Sequence, residues 1–170
     1  MDAEALRALQ APLKEKYKAD SQSAVVTLKA TGDLSGEGLA CKVSTSRALI
    51  EAGLHPATGG SGLQACSGDM LLEALVACAG VTLKAVATAL DFRLSGGVVR
   101  AEGDLDFRGT LGVAKDAAVG FTDIRLFFDL VSDEPQERIV ALTKLTERYC
   151  VVFQTLARPP KIALTVKAAN

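Results

Sequence analysis

Four cysteines, Cys41, Cys66, Cys78 and Cys150, and one histidine, His55, are the side chains of this 170-residue chain best suited to nucleophilic or redox chemistry. A thiolate attacks electrophilic oxygen or sulfur, and a second thiol nearby captures the oxidised product as a disulfide. No two of the cysteines form the C-x-x-C pair of a structural zinc site, so no metal is expected. The bland role of a free cysteine is that of a small core hydrophobe. Cys41, inside a strand-like run, fits that role. Cys78 differs, because it sits at the centre of "MLLEALVACAGVTLKAVATAL", residues 70–90, a stretch apolar on nearly every side.

A membrane span needs about 20 predominantly apolar residues. Glu73 and Lys84 interrupt this run, which favours a buried helix. A helix apolar all round must be covered all round. In a chain of this size, that requires a sheet wrapped about it or a second subunit, so a homodimer is expected.

The remaining sequence supplies the elements that position such a helix. The first 18 residues carry Leu6, Leu9, Leu13 and Tyr17 as one helical stripe, with Pro12 as a point where the helix kinks or ends. "SAVVTLKATGDLSGEGLACKVST" reads as two strands joined by the turn-rich "TGDLSGEG". Residues 55–68, "HPATGGSGLQACSG", read as a loop that feeds the central helix, with Ser67 as its N-cap and Asp69 in its first turn. A second strand pair spans residues 94–131, and there Ile124, Leu126, Phe128 and Leu130 alternate with Asp123, Arg125, Phe127 and Asp129. "DEPQERIVALTKLTERYC" begins at Pro135 as an amphipathic helix with Ile139, Leu142, Leu145 and Tyr149 on one stripe. "CVVFQTLA" continues it to a bend before Pro159, and "KIALTV" closes the chain as a strand presenting Ile162, Leu164 and Val166. The order α-ββ-α-ββ-α-β implies an α+β fold with antiparallel sheet. No repeat, low-complexity tract or linker divides it.

Nineteen basic and 20 acidic side chains give a formal net charge of -1. That balance argues against nucleic acid and anionic membrane as partners. "MDAEALRALQAPLKEKYKAD" lacks the basic start, apolar run and cleavage site of a signal peptide, so a cytoplasmic protein is expected.

Two segments together resemble the OsmC/Ohr family. "HPATGGSGLQACSGDMLLEALVACAGVTL" has the glycine-rich loop and long apolar helix with an "A-C" cysteine, and "TERYCVV" resembles the second cysteine at the end of the next long helix. The resemblance covers about residues 20–167 and leaves the first helix outside, so it implies an N-terminal helical extension, residues 1–19, and one OsmC-like domain, residues 20–170. It implies an intertwined dimer with antiparallel sheets wrapped around long central helices and two sites at the subunit interface. It further implies a thiol-dependent peroxidase for small organic hydroperoxides: Cys78 would be oxidised to a sulfenic acid, and Cys150 would resolve it as a disulfide within one chain. No bound cofactor is implied; recycling would use an external dithiol of lipoyl or thioredoxin type. The alternative is a non-catalytic binding protein of the same fold, holding a small lipophilic ligand in an apolar pocket. A third possibility is a structural or partner-binding domain with incidental cysteines.

A thiol in apolar surroundings is inert unless a donor or cation reaches it. The family supplies an arginine, positioned by a glutamate shortly before the first cysteine. Here Gly68 stands at the glutamate's place, with Asp69 adjacent. Glu73, five positions before Cys78, lies about 140° away around the helix. His55 and Arg47 are candidate donors, His55 otherwise capping or turning its loop and Arg47 otherwise a solvated charge. Cys66 is an alternative resolving thiol, on the order of 15 Å from Cys78 along the helix axis.

Overall fold

A computed structural model of the chain describes residues 2–19, 31–33, 40–44, 49–112 and 114–168. In chain order these hold α1 (Ala3–Ala19), β1 (Thr31–Asp33), β2 (Ala40–Ser44), β3 (Leu49–Gly53), β4 (Ala65–Cys66), α2 (Ser67–Ala89), β5 (Gly96–Leu105), α3 (Phe107–Thr110), β6 (Phe121–Val131), α4 (Gln136–Tyr149) and α5 (Val151–Ala157).

The long helix α2 is central. Leu75, Ala79, Leu83 and Ala87 recur every fourth residue and are its buried side chains. They pack under the β5–β6 hairpin, whose inner face carries Val99, Ala101, Ile124, Leu126, Phe128 and Leu130. Strand alternation sends the charged residues to the other face. There Arg125 bonds Asp104 and Asp123, and Arg100 reaches Asp129 and lies over the Phe127 ring. Phe127 therefore belongs to the polar face through a cation–π contact. The second sheet runs β1-β2-β3-β4; its first two pairings are antiparallel and β3–β4 is parallel.

The turn between α2 and β5 is tied to the start of α4. The carboxylate of Glu134, only 3% exposed, accepts the Arg93 backbone N–H at 3.0 Å and pairs with Arg138 at 3.0 Å. Arg138 also donates to the Leu90 and Asp91 carbonyls and lies over the Phe92 ring.

The mixed α+β class with antiparallel sheet agrees with the sequence reading, but several boundaries move. Helix α1 runs through position 12 without ending there. "TGD", read as turn, is strand β1, while the preceding strand-like run falls outside the described residues. The third strand, β3, carries little alternation and was not expected. The loop of residues 55–68 contains a one-turn 3-10 helix, Pro56–Thr58, and the short β4. Cys66 occupies the N-cap of α2 without a side-chain cap bond, and Ser67 is already helical. The buried stripe of α4 continues from Leu142 to Thr146 and Cys150, leaving Tyr149 exposed. Thr146 is tolerated in the core because its hydroxyl donates to the Leu142 carbonyl at 2.8 Å. Residues 161–168, expected to hold a strand, pair with no strand among the described residues.

Candidate active site

Cys150 is where the helical path breaks. Its φ of -73° and ψ of 108° are extended, so α4 stops at Tyr149 and α5 starts at Val151. Its own N–H still donates to the Thr146 carbonyl at 2.9 Å, and its carbonyl accepts from Gln154 at 2.9 Å. The Gln154 side chain spans the break by donating to the Glu147 carbonyl. A new helix start leaves its first N–H groups without intrahelical acceptors. At this break they face the Cys78 sulfur, across from the middle of α2.

Cys78 is half-buried and packs against the cluster of Leu75, Ala79 and Cys150, as do Val152, Phe153 and Leu156 of α5. Burial alone would push its thiol up. Four hydrogen bonds outweigh burial and hold it below the ordinary range: from the Val152 N–H, the Cys150 thiol, the Val151 N–H and the Thr82 hydroxyl. Cys150 moves the other way. It is 1% exposed; burial raises its thiol most, the Phe153 amide opposes this, and the bond to Cys78 and the charge of that group raise it further, against a smaller donation from the Val152 amide. One member of the pair is thus reachable and disposed to ionise, while the other is buried and disposed to stay protonated. Both thiols are free.

The other sequence candidates lie elsewhere. His55 accepts the Ala57 N–H at 3.0 Å as the N-cap of the 3-10 turn, and its ring stacks on Phe107 at 4.9 Å. Asp69 is in the first turn of α2, half a turn round the helix from Cys78. It lines a groove with Glu73, Leu72, Val76 and Ala101. A side chain at Gly68 would meet Phe121, Leu105 and the Cys66 sulfur. Cys66 lies at the far N-terminal end of α2. Arg47 lies outside the described residues. No group of His, Cys, Asp and Glu able to hold a metal ion occurs among the described residues.

Sequence reasoning missed Thr82 and the Val151 and Val152 amides. The spacing of Thr82, four positions after Cys78, was visible and places it on the same helix face. The amides left no sequence signal, because no glycine or proline marks the break at Cys150.

Outside the site, α2 keeps an apolar surface. Ala74, Ala77 and Val81 are exposed, Val81 by 71%. A groove of about 570 Å³ runs between this surface and the start of β5, past Val76, Gly80, Val81 and Val99. By length and composition α2 could cross a membrane, yet one whole face of it is packed under the hairpin and α4.

The profile of the OsmC-like protein family matches residues 60–165. Among solved structures, the OsmC-like protein of Mycoplasma pneumoniae is similar with a TM-score of 0.66 at 17% identity, covering 79% of this chain and 89% of that one. An organic hydroperoxide resistance protein from Elizabethkingia anophelis gives 0.62 at 15% identity, covering 79% and 90%. One from Legionella pneumophila gives 0.61 at 15% identity, covering 79% and 91%. At these identities the likeness is one of fold. Among curated proteins, none matches the sequence.

Proposed function

From the premise that this chain belongs to the OsmC-like protein family, we propose that it is a thiol-dependent hydroperoxide reductase acting on small organic hydroperoxides. Cys78 is its peroxidatic cysteine and Cys150 its resolving one. The observation that carries this reading is the opposed pair of thiols, one half-exposed and held low, the other buried and held high.

The Cys78 thiolate attacks the distal oxygen of ROOH. An S–O bond forms as the O–O bond breaks, the alkoxide leaves and takes a proton from solvent, and Cys78 becomes a sulfenic acid. The Cys150 thiol then attacks that sulfur, an S–S bond forms, and the hydroxyl leaves as water with the Cys150 proton. An external dithiol, of lipoyl or thioredoxin type, reduces the disulfide and returns both thiols. Leu75, Ala79, Phe153 and Leu156 around the sulfurs favour an alkyl chain over hydrogen peroxide.

The active form is a cytoplasmic homodimer. The exposed Ala74, Ala77 and Val81 of α2 supply apolar surface of the kind an obligate interface buries. Ile162, Leu164 and Val166 on the unpaired C-terminal segment do the same. The groove of about 570 Å³ favours the second reading, a binder of lipophilic ligands. Steady-state assays with cumene hydroperoxide and hydrogen peroxide, supplied with several dithiols, separate the two. Catalytic consumption of cumene hydroperoxide is expected, and a single stoichiometric loss of the Cys78 thiol without turnover would leave the binder.

A further inference from the structure

Cys150 is buried, yet it forms part of the wall of a cavity that Cys78 does not line. A chamber of about 180 Å³ lies between α4 and β6, walled by Cys150, Ala79, Leu126 and Phe153, with the exposed Lys144 and Glu147 beside them. A second chamber of about 320 Å³ adjoins it, bounded by Leu75, Ile124, Leu156 and Ala157. Leu126 and Phe153 line both, so the two form one groove. No described residue of β5 lines either chamber, and β6 pairs only with β5 among the described residues. The groove therefore follows the unpaired side of β6.

We propose that this groove is the binding site of the reductant, a slender dithiol on an alkyl chain, which attacks the Cys78–Cys150 bridge at Cys150 and not at Cys78. Together the chambers fall in the range of about 300–1,000 Å³ usual for small-ligand sites, too narrow for the folded surface of a protein dithiol. Their walls are largely apolar, as an alkyl chain requires, and the one reactive group on them is Cys150. One thiolate of the dithiol forms an S–S bond to Cys150 as the Cys78–Cys150 bond breaks, and the electron pair leaves on the Cys78 sulfur. The second thiol of the reductant then attacks the reductant's own sulfur in the mixed disulfide. It closes a cyclic disulfide and releases Cys150, and the two protons lost by the dithiol restore both thiols. Exchange is faster when the departing sulfur is that of the more acidic thiol, which here is Cys78. Oxidant and reductant thus meet different sulfurs of the pair.

This rests on the resolving role given to Cys150 under the proposed function, but its test starts from a bridge made with diamide and needs no peroxide. The bridged full-length protein is mixed with 2-mercaptoethanol, a monothiol that opens a disulfide without closing a ring. Early samples are quenched in acid, blocked with N-ethylmaleimide and mapped by peptide mass spectrometry. The mercaptoethanol adduct is expected on Cys150 and the maleimide on Cys78, in at least about tenfold preference over the reverse. An adduct mainly on Cys78, or a protein that diamide cannot bridge at these two cysteines, would overturn the proposal. Ala157→Trp, at an exposed position of α5, narrows the second chamber. With circular dichroism to confirm the fold, it is expected to slow reduction of the bridge by dihydrolipoamide about tenfold, by misplacing the alkyl chain, and to leave reduction by the short dithiothreitol nearly unchanged. An unchanged rate with dihydrolipoamide would overturn the groove as the site, and a loss of dimer in sedimentation with that unchanged rate would assign it to a second copy of the chain instead. A wild type that gives the Cys150 adduct but consumes no cumene hydroperoxide would support the groove and defeat the peroxidase reading.

Discussion

Two groups whose ionised forms are favoured sit along α2, and the chain holds them by opposite means. At the C-terminal end of the helix, the buried Glu134 carboxylate is gripped by the Arg93 backbone N–H and then by the Arg138 and Arg93 guanidinium groups, which hold it below its ordinary value. At the middle, the Cys78 sulfur is held by two amides, a thiol and a hydroxyl. The first charge is permanent and structural, locking the α2–β5 turn to the start of α4. The second must disappear into a covalent bond on each turnover. Removing one partner of a buried ion pair strands the other, at high cost. Neutral donors strand no charge when the sulfur is oxidised. The difference teaches that the site is built for a charge that comes and goes, and the turn for one that stays.

The largest test of the contrast removes the transient charge. Cys78→Ser is expected to lower hydroperoxide turnover at least about a thousandfold, the scale on which loss of a nucleophile is felt. Thermal unfolding should hardly change, because no partner is left unpaired. Cys150→Ser should consume about one equivalent of peroxide and then stop, with Cys78 passing to sulfinic acid under excess oxidant. In the wild type, peptide mapping after mild oxidation should find a Cys78–Cys150 bridge within one chain. A Cys66–Cys78 bridge would give the resolving role to Cys66.

Removing the permanent charge should do the reverse. Glu134→Gln removes the buried charge that the exposed Arg93 and Arg138 guanidinium groups face, and is expected to lower Tm by about a few degrees while thiol chemistry at the folded site persists. The pH dependence follows from the sign of the shift. A carboxyl held below its unfolded value contributes stability above the unfolded pKa, near 4.3, and loses it as pH falls through the folded one. The wild type should therefore lose part of its Tm advantage over Glu134→Gln below about pH 4. A difference constant down to pH 2 would mean that the clamp acts by packing alone.

The same contrast marks what was legible in the sequence. Helix α2 and the β5–β6 alternation are carried by side-chain type and period, and could be read, while the pairing of Cys78 with Cys150 was implied only by the family resemblance. The break at Cys150 could not, because ψ there departs from helical values without glycine or proline to announce it, and the decisive donors are main-chain N–H groups common to every sequence. The stripe of α4 was misread at Tyr149 for a related reason. Thr146 looks polar, and only its bond back to Leu142 makes it a core residue. His55 is a donor by type, yet its Nδ1 accepts the Ala57 amide and its ring stacks on Phe107, which hold it at the 3-10 turn. β3 and β4 are held by ladder bonds rather than by pattern, and the unpaired 161–168 segment shows that alternation alone does not make a strand.

The smallest effect expected is also the one that most sharpens the comparison. Charges held by exposed cations weaken as salt rises, since the Debye length falls from about 10 Å at 0.1 M to about 3 Å at 1 M. Neutral donors at hydrogen-bond distance are scarcely screened. The pH midpoint for labelling of Cys78 by iodoacetamide should therefore move by less than about 0.2 pH unit between these salt concentrations. His55→Ala should leave it in place as well, because the imidazole is engaged at the 3-10 turn and stacked on Phe107. Arg47→Ala is the decisive companion. A salt-sensitive midpoint that becomes insensitive in Arg47→Ala would place a cation at the sulfur and make the two groups along α2 alike in how they are held. An insensitive midpoint in both proteins would leave the hydroxyl, the thiol and the two amides as what keeps Cys78 reactive.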